Sequence, residues 1–495
     1  MSRHPRGRQR AGALRRCRLR WRAALLVAAL IAAPLALSVA PRERRPPDII
    51  LISLDTMRRD DFVAYRGEGV PAGGGELARL LQESVVYDQA FAPVPFTLPS
   101  HLSMLTGVYP DVHGVDSAKE ALSPTVPLVQ EALRRAGYRT LGVVSNNWME
   151  GEFGFARGFD HYESLPFALM YSQTVNRRVL ELIDEKGGSA ESEGGASDRP
   201  PLFLFLHYND AHSDFYAGGQ NKLPYHAPES FRSSAVGPVD PDAYCLADDP
   251  KVCATDFLLA VNDGRTEVSS PLQEQIRALY RSGIDYLESD LEALLEGLRQ
   301  RGLLDNALVI VTSDHGEEFL EHGEYIHSQP FVENLAVPLT IRFPDQPGGG
   351  REAAIVETID LTPTLLDYAG LSANDLHQGA SLRPGARETS TKVRRTAFGR
   401  DKKLASRFVL RTQRWSWLED LQSGERALFD RRADPAESTD VRDLHPDQAE
   451  ALSQALRRMV DANQYLARRL EGPLSASPLT EEDRRRLRSI GYVDV

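Results

Sequence analysis

Three apolar runs in this 495-residue chain end in residues that could bind a metal. Asp55 closes the run at 48–54 (DIILISL), Asp210 follows the run at 201–207 (PLFLFLH) by three residues, and Asp314 with His315 closes the run at 307–313 (ALVIVTS). Carboxylates and an imidazole brought to one place form a ligand set for a divalent ion. One such acid alone is ordinarily a turn or helix-capping residue. Three at the ends of three similar runs point to a shared site.

A fourth component is the segment Phe96-Thr97-Leu98-Pro99-Ser100-His101-Leu102. Thr97 reads as a helix N-cap, with Pro99 in the first turn of a helix running towards Leu105. A capping role alone would explain it. Its hydroxyl would also stand at a positive helix end, where backbone N–H groups can hold an anionic ester. A bound divalent ion would lower its pKa towards that of a nucleophile.

The elements that must position these residues follow from hydrophobic pattern. Short, continuous apolar runs are those of buried parallel strands. Between them lie helical patterns at 125–136, with Val126, Val129 and Leu133 on one face, and at 272–298, with Ile276, Leu279, Tyr280, Ile284, Leu287, Leu291, Leu294 and Leu298 in phase. Alternating strands and helices predict an α/β fold with a mostly parallel sheet and helices on both faces. Its ligand crevice is expected beyond the carboxyl ends of the strands.

Two segments read as insertions in a domain spanning 48–370: a Gly/Ser/Glu-rich loop at 187–198 and a polar stretch at 233–254. The second carries Cys245 and Cys253 with seven residues between them, a spacing that allows the disulfide predicted here. From 371 to 495 a small C-terminal α+β subdomain is expected. It has a long polar loop, strands at 407–412, 415–419 and 426–429, and a closing helix at 447–470.

The formal charge is −12, yet residues 1–46 carry +11, which leaves −23 on the rest. An acidic body argues against a nucleic-acid partner, because neutralising phosphates needs a basic surface. The basic tail at 1–22 instead leads into 18 uncharged residues at 23–40, an export signal or membrane anchor, followed by a Pro-rich linker at 41–47. Pro41 disfavours cleavage after Ala40. The expectation is therefore an anchor, with the Arg-rich end cytoplasmic and the catalytic domain periplasmic or extracellular, or secreted if the signal is cut.

The segment Thr97-Leu-Pro-Ser-His-Leu-Ser-Met-Leu-Thr-Gly107 resembles the sulfatase signature Cys/Ser-x-Pro-Ser-Arg followed by Leu and Thr-Gly. Further segments are similar to that family in the same order: DIILISLDTMRRDD, Gly137-Tyr-Arg-Thr140 with Gly158-Phe-Asp160, SDHGEEFLEHG, and Leu428-Phe-Asp430 with Asp434-Pro435. The resemblance implies the sulfatase-like branch of the alkaline phosphatase superfamily. It makes Asp55, Thr97, Asp314 and His315 the metal shell, with Thr97 as ligand and nucleophile.

The chain departs from the sulfatase pattern in three ways. Thr97 stands where a sulfatase has the Cys or Ser converted to formylglycine, an aldehyde that threonine cannot form, so no formylglycine is expected. His101 replaces the signature Arg. Thr56 replaces a second Asp, and with His315 as a nitrogen donor this favours Zn or Mn over Ca.

A second metal on Asp210, His212 and His327 is conceivable, but two-metal relatives space the first pair Asp-x-x-x-His, which is not matched. The favoured reading has His212 and His327 touching the ester or protonating the leaving group. His207 reads as structural. Asn146 and Asn147, near the position of a sulfatase substrate Lys, are placed with His101 as substrate-facing groups, a turn after a strand being the alternative for the two amides.

These features imply a metal-dependent hydrolase of phosphate mono- or diesters or of sulfate esters, acting on an anionic substrate. The alternatives are a phosphoglycerol- or phosphoethanolamine-type envelope transferase and an inactive anion-binding protein.

Overall fold

The computed structural model describes Met1, residues 45–470 and residues 475–476, apart from 68–73, 118, 167–170, 187–198, 214–221, 226–227, 347, 375 and 387–395. The expected basic tail, the apolar segment at 23–40, the linker up to residue 44 and the insertion at 187–198 lie outside the described residues. Among the described residues no helix is long and apolar enough to cross a membrane.

The large sheet has eight strands: β1 (Asp48–Leu54), β2 (Val85–Phe91), β3 (Arg139–Val144), β4 (His161–Ser164), β5 (Leu202–Tyr208), β6 (Ala307–Thr312), β7 (Leu339–Arg342) and β8 (Gly350–Glu357). They lie in the order β8-β2-β7-β6-β1-β5-β3-β4, and all pairings are parallel except the two made by β7. The three apolar runs thus form the central trio β6-β1-β5. That explains their unbroken hydrophobicity, since both faces are covered.

The pleat sends alternate residues to two cores. Ile50, Ile52, Leu54, Leu204, Leu206, Val309 and Val311 pack against helices α1 (Glu76–Gln82), α4 (Ser172–Glu185) and α5 (Ser270–Gln300). Ile49, Leu51, Phe203, Phe205, Leu308 and Ile310 pack against α2 (Thr97–Thr106), α3 (Val129–Arg135) and α6 (Leu361–Tyr368). Helix α3 starts four residues later than its pattern suggests. Pro127 biases Val126 away from helical geometry, and Leu128 is extended.

A second, antiparallel sheet runs β9 (Ala397–Arg400), β10 (Arg407–Arg411), β11 (Trp415–Asp420) and β12 (Arg426–Asp430) in sequence order. Helix α7 (Pro446–Arg469) covers it with Leu452, Leu456 and Val460. Strand β9 lies within the stretch expected to be polar loop. Only four residues long, it shows no alternation to mark it. Within residues 233–254, Cys245 and Cys253 are joined in a disulfide with Cα atoms 4.0 Å apart.

Candidate active site

Strand register decides which residues meet at the carboxyl edge. Ser53 of β1 is level with His207 of β5 and Thr312 of β6. Two residues further on, Asp55, Asn209 and Asp314 therefore emerge side by side, whereas Asp210 is out of phase by one and points elsewhere. Asp210 indeed accepts from the backbone N–H and hydroxyl of Ser172, at 3.1 and 3.0 Å, at the start of α4. Asp210 is thus directed at the start of α4. Among the described residues the metal-capable cluster is Asp55, Asp314 and His315, whose ligand atoms lie within 4.8 Å of one another.

All three residues are fully buried. Nδ1 of His315 donates to the Gly316 carbonyl at 3.0 Å, so in the neutral ring Nε2 carries the lone pair. That nitrogen lies 3.3 Å from Oδ2 of Asp314, 3.8 Å from Oδ1 of Asp55 and 3.4 Å from Oγ1 of Thr97. Oδ1 of Asp55 and Oδ2 of Asp314 accept no hydrogen bond. Two orphaned carboxylate oxygens and a lone pair converging in a buried space, beside a hydroxyl, fit a divalent cation.

Electrostatics agrees with that fit. Burial and the neighbouring charge of Asp55 push the Asp314 carboxyl well above its ordinary range. Burial also acts on Asp55, but the His207 ring 3.2 Å away and the other nearby imidazoles overcome it and hold Asp55 below the usual range. Burial pulls His315 down to about 4, which keeps the ring a neutral donor.

The backbone around the cluster is strained. Thr56 and Ile326, both β-branched, have φ of +55° and +72° beside Asp55 and His327. Each such residue costs about 1 to 3 kcal/mol and persists only where its surroundings fix it. At Thr56 those surroundings are the Tyr280 hydroxyl, which donates to its carbonyl at 2.8 Å, and Ser313 Oγ, which accepts from Met57 N at 3.1 Å. Gly316 is required by close approach: a Cβ there would lie 2.0 Å from the Glu333 carbonyl.

Thr97 is the first residue of α2, and Phe96, with φ −155° and ψ 127°, is the N-cap. Thr97 was expected to be that cap. Instead its hydroxyl makes no capping bond and turns to His315.

Two expected substrate-facing groups are committed within the protein. His101 is fully buried; its Nδ1 donates to the Thr97 carbonyl at 2.9 Å, so Nε2 accepts from Ser53 Oγ at 2.8 Å. Asn146 gives its Nδ2 to Asp55 Oδ2 at 2.7 Å and to Asn209 Oδ1 at 3.0 Å, while its Oδ1 accepts from Trp148 N at 2.9 Å. Both thus brace Thr97 and Asp55 through hydrogen bonds within the protein. His207 has a similar place, with Nε2 3.2 Å from Asp55 Oδ2. Asn147 is half-buried in the turn that follows.

His212 and His327 do come together, with ring centroids 5.2 Å apart, and His327 lies 4.3 Å from the His315 ring. Nδ1 of His212 donates to the Ser213 carbonyl at 2.7 Å, and Nδ1 of His327 lies 3.2 Å from Glu317 Oε1. Burial, more than any neighbouring charge, lowers both imidazoles and leaves them neutral.

Two residues were missed in the sequence. Glu317, in the Asp314-His-Gly-Glu-Glu318 run, is fully buried against His327, and burial lifts its carboxyl well above the usual range. The other is Lys402, whose Nζ sits 4.7 Å from the Phe96 ring centre. Burial, then the charge of Lys403, pulls its ammonium down to about 7. Glu317 lies in a motif that could have flagged it. Lys402 lies 87 residues beyond His315 in the turn between β9 and β10, where no pattern marks it.

A mostly parallel sheet with a buried metal-capable cluster and hydroxyl at its carboxyl edge, joined to an antiparallel C-terminal sheet, is the architecture of alkaline-phosphatase-like ester hydrolases. The sulfatase family model matches residues 47–371, and the chain belongs to that family. The model for the N-sulphoglucosamine sulphohydrolase C-terminal region matches residues 320–465.

Arylsulfatase K of Bos taurus is 23% identical over 412 residues, covering 75% of this chain and 74% of the relative. Among solved structures, BT4656 in complex with its substrate D-glucosamine-2-N,6-O-disulfate superposes with a TM-score of 0.63 at 18% identity, covering 86% of this chain and 98% of the other. The phosphonate monoester hydrolase of Silicibacter pomeroyi gives 0.61 at 18% identity, covering 84% and 96%. These likenesses show the shared fold.

Proposed function

We propose that this sulfatase-family hydrolase cleaves phosphate mono- or diesters or sulfate esters with Thr97 as nucleophile, phosphate esters being the better fit. The observation that carries the reading is the buried Thr97 hydroxyl, 3.4 Å from His315 Nε2 and beside two orphaned carboxylate oxygens. The likeness to arylsulfatases supports sulfate, and the phosphonate monoester hydrolase neighbour supports phosphorus. Thr97 tips the balance, because oxidation of its secondary alcohol gives a ketone rather than the aldehyde of a formylglycine sulfatase.

Asp55, Asp314, His315 and Thr97 would hold a divalent ion, the mixed oxygen and nitrogen donors favouring Zn or Mn. When bound, the ion supplies Lewis-acid polarisation of the ester and lowers the pKa of the hydroxyl. Thr97 Oγ1 bonds to phosphorus or sulfur as the bond to the leaving oxygen breaks. The Thr97 proton passes to a neutral imidazole, His212 or His327, and from there to the leaving oxygen. Water then cleaves the Thr97 ester and regenerates the hydroxyl. His101, Asn146 and His207 keep Thr97 and Asp55 in place.

The disulfide, with the Arg-flanked apolar segment, supports an extracytoplasmic, anchored placement. Protease accessibility of the catalytic domain in intact cells tests that placement. The function is tested with nitrophenyl phosphate, bis-nitrophenyl phosphate and nitrophenyl sulfate, each with Zn, Mn and Ca. Metal-dependent turnover that disappears in Thr97→Ala is expected. Wild-type rates in that variant would overturn the assignment.

A further inference from the structure

The two ends of a short hairpin face each other at the site. Glu318–Phe319 pairs antiparallel with Tyr325–Ile326, Glu318 opposite Ile326 and Phe319 opposite Tyr325. One step further along that register Glu317 stands opposite His327, which brings Nδ1 of His327 to 3.2 Å from Glu317 Oε1. The hairpin therefore delivers His327, and whatever fixes the hairpin fixes that imidazole.

Ile326, immediately before His327, is held at φ +72°, a left-handed conformation that a β-branched residue keeps only under constraint. Tyr325 transmits the constraint. It is 1% exposed, and one side chain takes both of its backbone groups: its N–H donates to Asn262 Oδ1 at 2.7 Å, and its carbonyl accepts from Asn262 Nδ2 at 2.9 Å. The Asn262 amide thus stands in for a third strand. Removing it strands a buried donor and a buried acceptor.

Asn262 is itself firmly placed. It is the last residue of the helix Thr255–Asn262, which starts two residues after Cys253 of the disulfide and buries Leu258 and Ala260 in the core. Gly264, at φ +69°, closes the helix: its N–H donates to the Val261 carbonyl and Arg265 N to the Ala260 carbonyl, both at 2.9 Å.

We infer that Asn262 is a positioning residue for His327: by pinning Tyr325 it maintains the turn at Ile326, and with it the place of the imidazole beside His315. His327 is then the imidazole that hands a proton to the leaving oxygen. This rests on the ester-hydrolase reading but not on Thr97 being the nucleophile.

Phenyl and nitrophenyl esters of phosphate and of sulfate, turned over by the full chain with Zn or Mn present, test this. Nitrophenolate leaves with little help from an acid, whereas the more basic phenolate depends on a delivered proton. His327→Gln should therefore lower kcat/KM on the phenyl ester about tenfold or more beyond its loss on the nitrophenyl ester. Asn262→Ala should show the same selectivity at about threefold or more, and should add less than about twofold to it in the His327→Gln background. Partial unfolding lowers both esters alike, so their ratio reads the imidazole and not the amount of folded protein.

An unchanged ratio in Asn262→Ala, whatever the loss in rate, would overturn the positioning role and leave the ester-hydrolase reading standing. A further selective loss in the double variant would also overturn it. An unchanged ratio in His327→Gln would remove His327 from proton transfer and the inference with it. A wild type that turns over none of the four esters would sink both the reading and the inference.

Discussion

Asn146 Nδ2 donates to Oδ2 of Asp55 at 2.7 Å, reaching from the end of β3 across β5 to the end of β1. The same nitrogen holds Asn209 at 3.0 Å, so one amide spans three strands and leaves Oδ1 of Asp55 turned towards His315. Outer groups of this kind commonly set metal affinity by about tenfold to a hundredfold. Asn146→Ala is expected to weaken divalent-ion binding by that amount in a chelator competition. Unchanged affinity would remove Asn146 from the support of the site.

The C-terminal sheet is fastened by a buried ion pair. Arg411 Nε donates to Glu437 Oε1 at 2.7 Å and Nη2 to Oε2 at 2.6 Å, with both side chains 1% exposed; Nη2 also reaches the Pro330 carbonyl at 2.8 Å. Removing one partner strands a buried charge, at a cost of about 3 to 5 kcal/mol. Arg411→Met should lower the urea midpoint accordingly, and Arg411→Met with Glu437→Met should recover much of the loss. A single variant as stable as wild type would show that the pair contributes little.

His322 supplies a pH-dependent contact. Its ring stacks on Phe331 at 3.5 Å, and Nε2 lies 3.2 Å from Glu333. Burial opposes its charge, but the hydrogen bond and charge of Glu333 prevail and raise its pKa above the ordinary 6.5. The folded state therefore holds this proton more tightly than the unfolded chain. The stabilisation is fully present below pH 6.5 and is lost as pH rises through the raised folded value. His322→Gln should destabilise the protein by about 1 kcal/mol near pH 5.5 and by less near pH 9, measured by denaturant unfolding. Equal losses at both would contradict a charged His322.

Much of this site was legible because strand pattern and register do the positioning. Asp55 and Asp314 end unbroken apolar runs, and the central β6-β1-β5 trio brings them level. Counting from the end of a run ignores the pleat: one residue of phase turns the Asp210 carboxylate to Ser172. His101 and Asn146 both lie at this edge with their hydrogen bonds made to Ser53, Thr97, Asp55, Asn209 and Trp148. Sequence shows that a polar group is near a site, not which neighbour has already taken its hydrogen bonds. Lys402 carries no sequence signal because its contact with the Phe96 ring is made through tertiary packing, which has no sequence period. The four-residue β9 that carries its turn was invisible for lack of length.

The proposed covalent nucleophile, Thr97, is trapped by acid-quenching the protein during turnover. Peptide mass spectrometry should find one phosphoryl or sulfuryl group on Thr97 in the wild type and none in Thr97→Ala. A group carried on another residue, or a Thr97→Ala protein that still turns over at the wild-type rate, would contradict it.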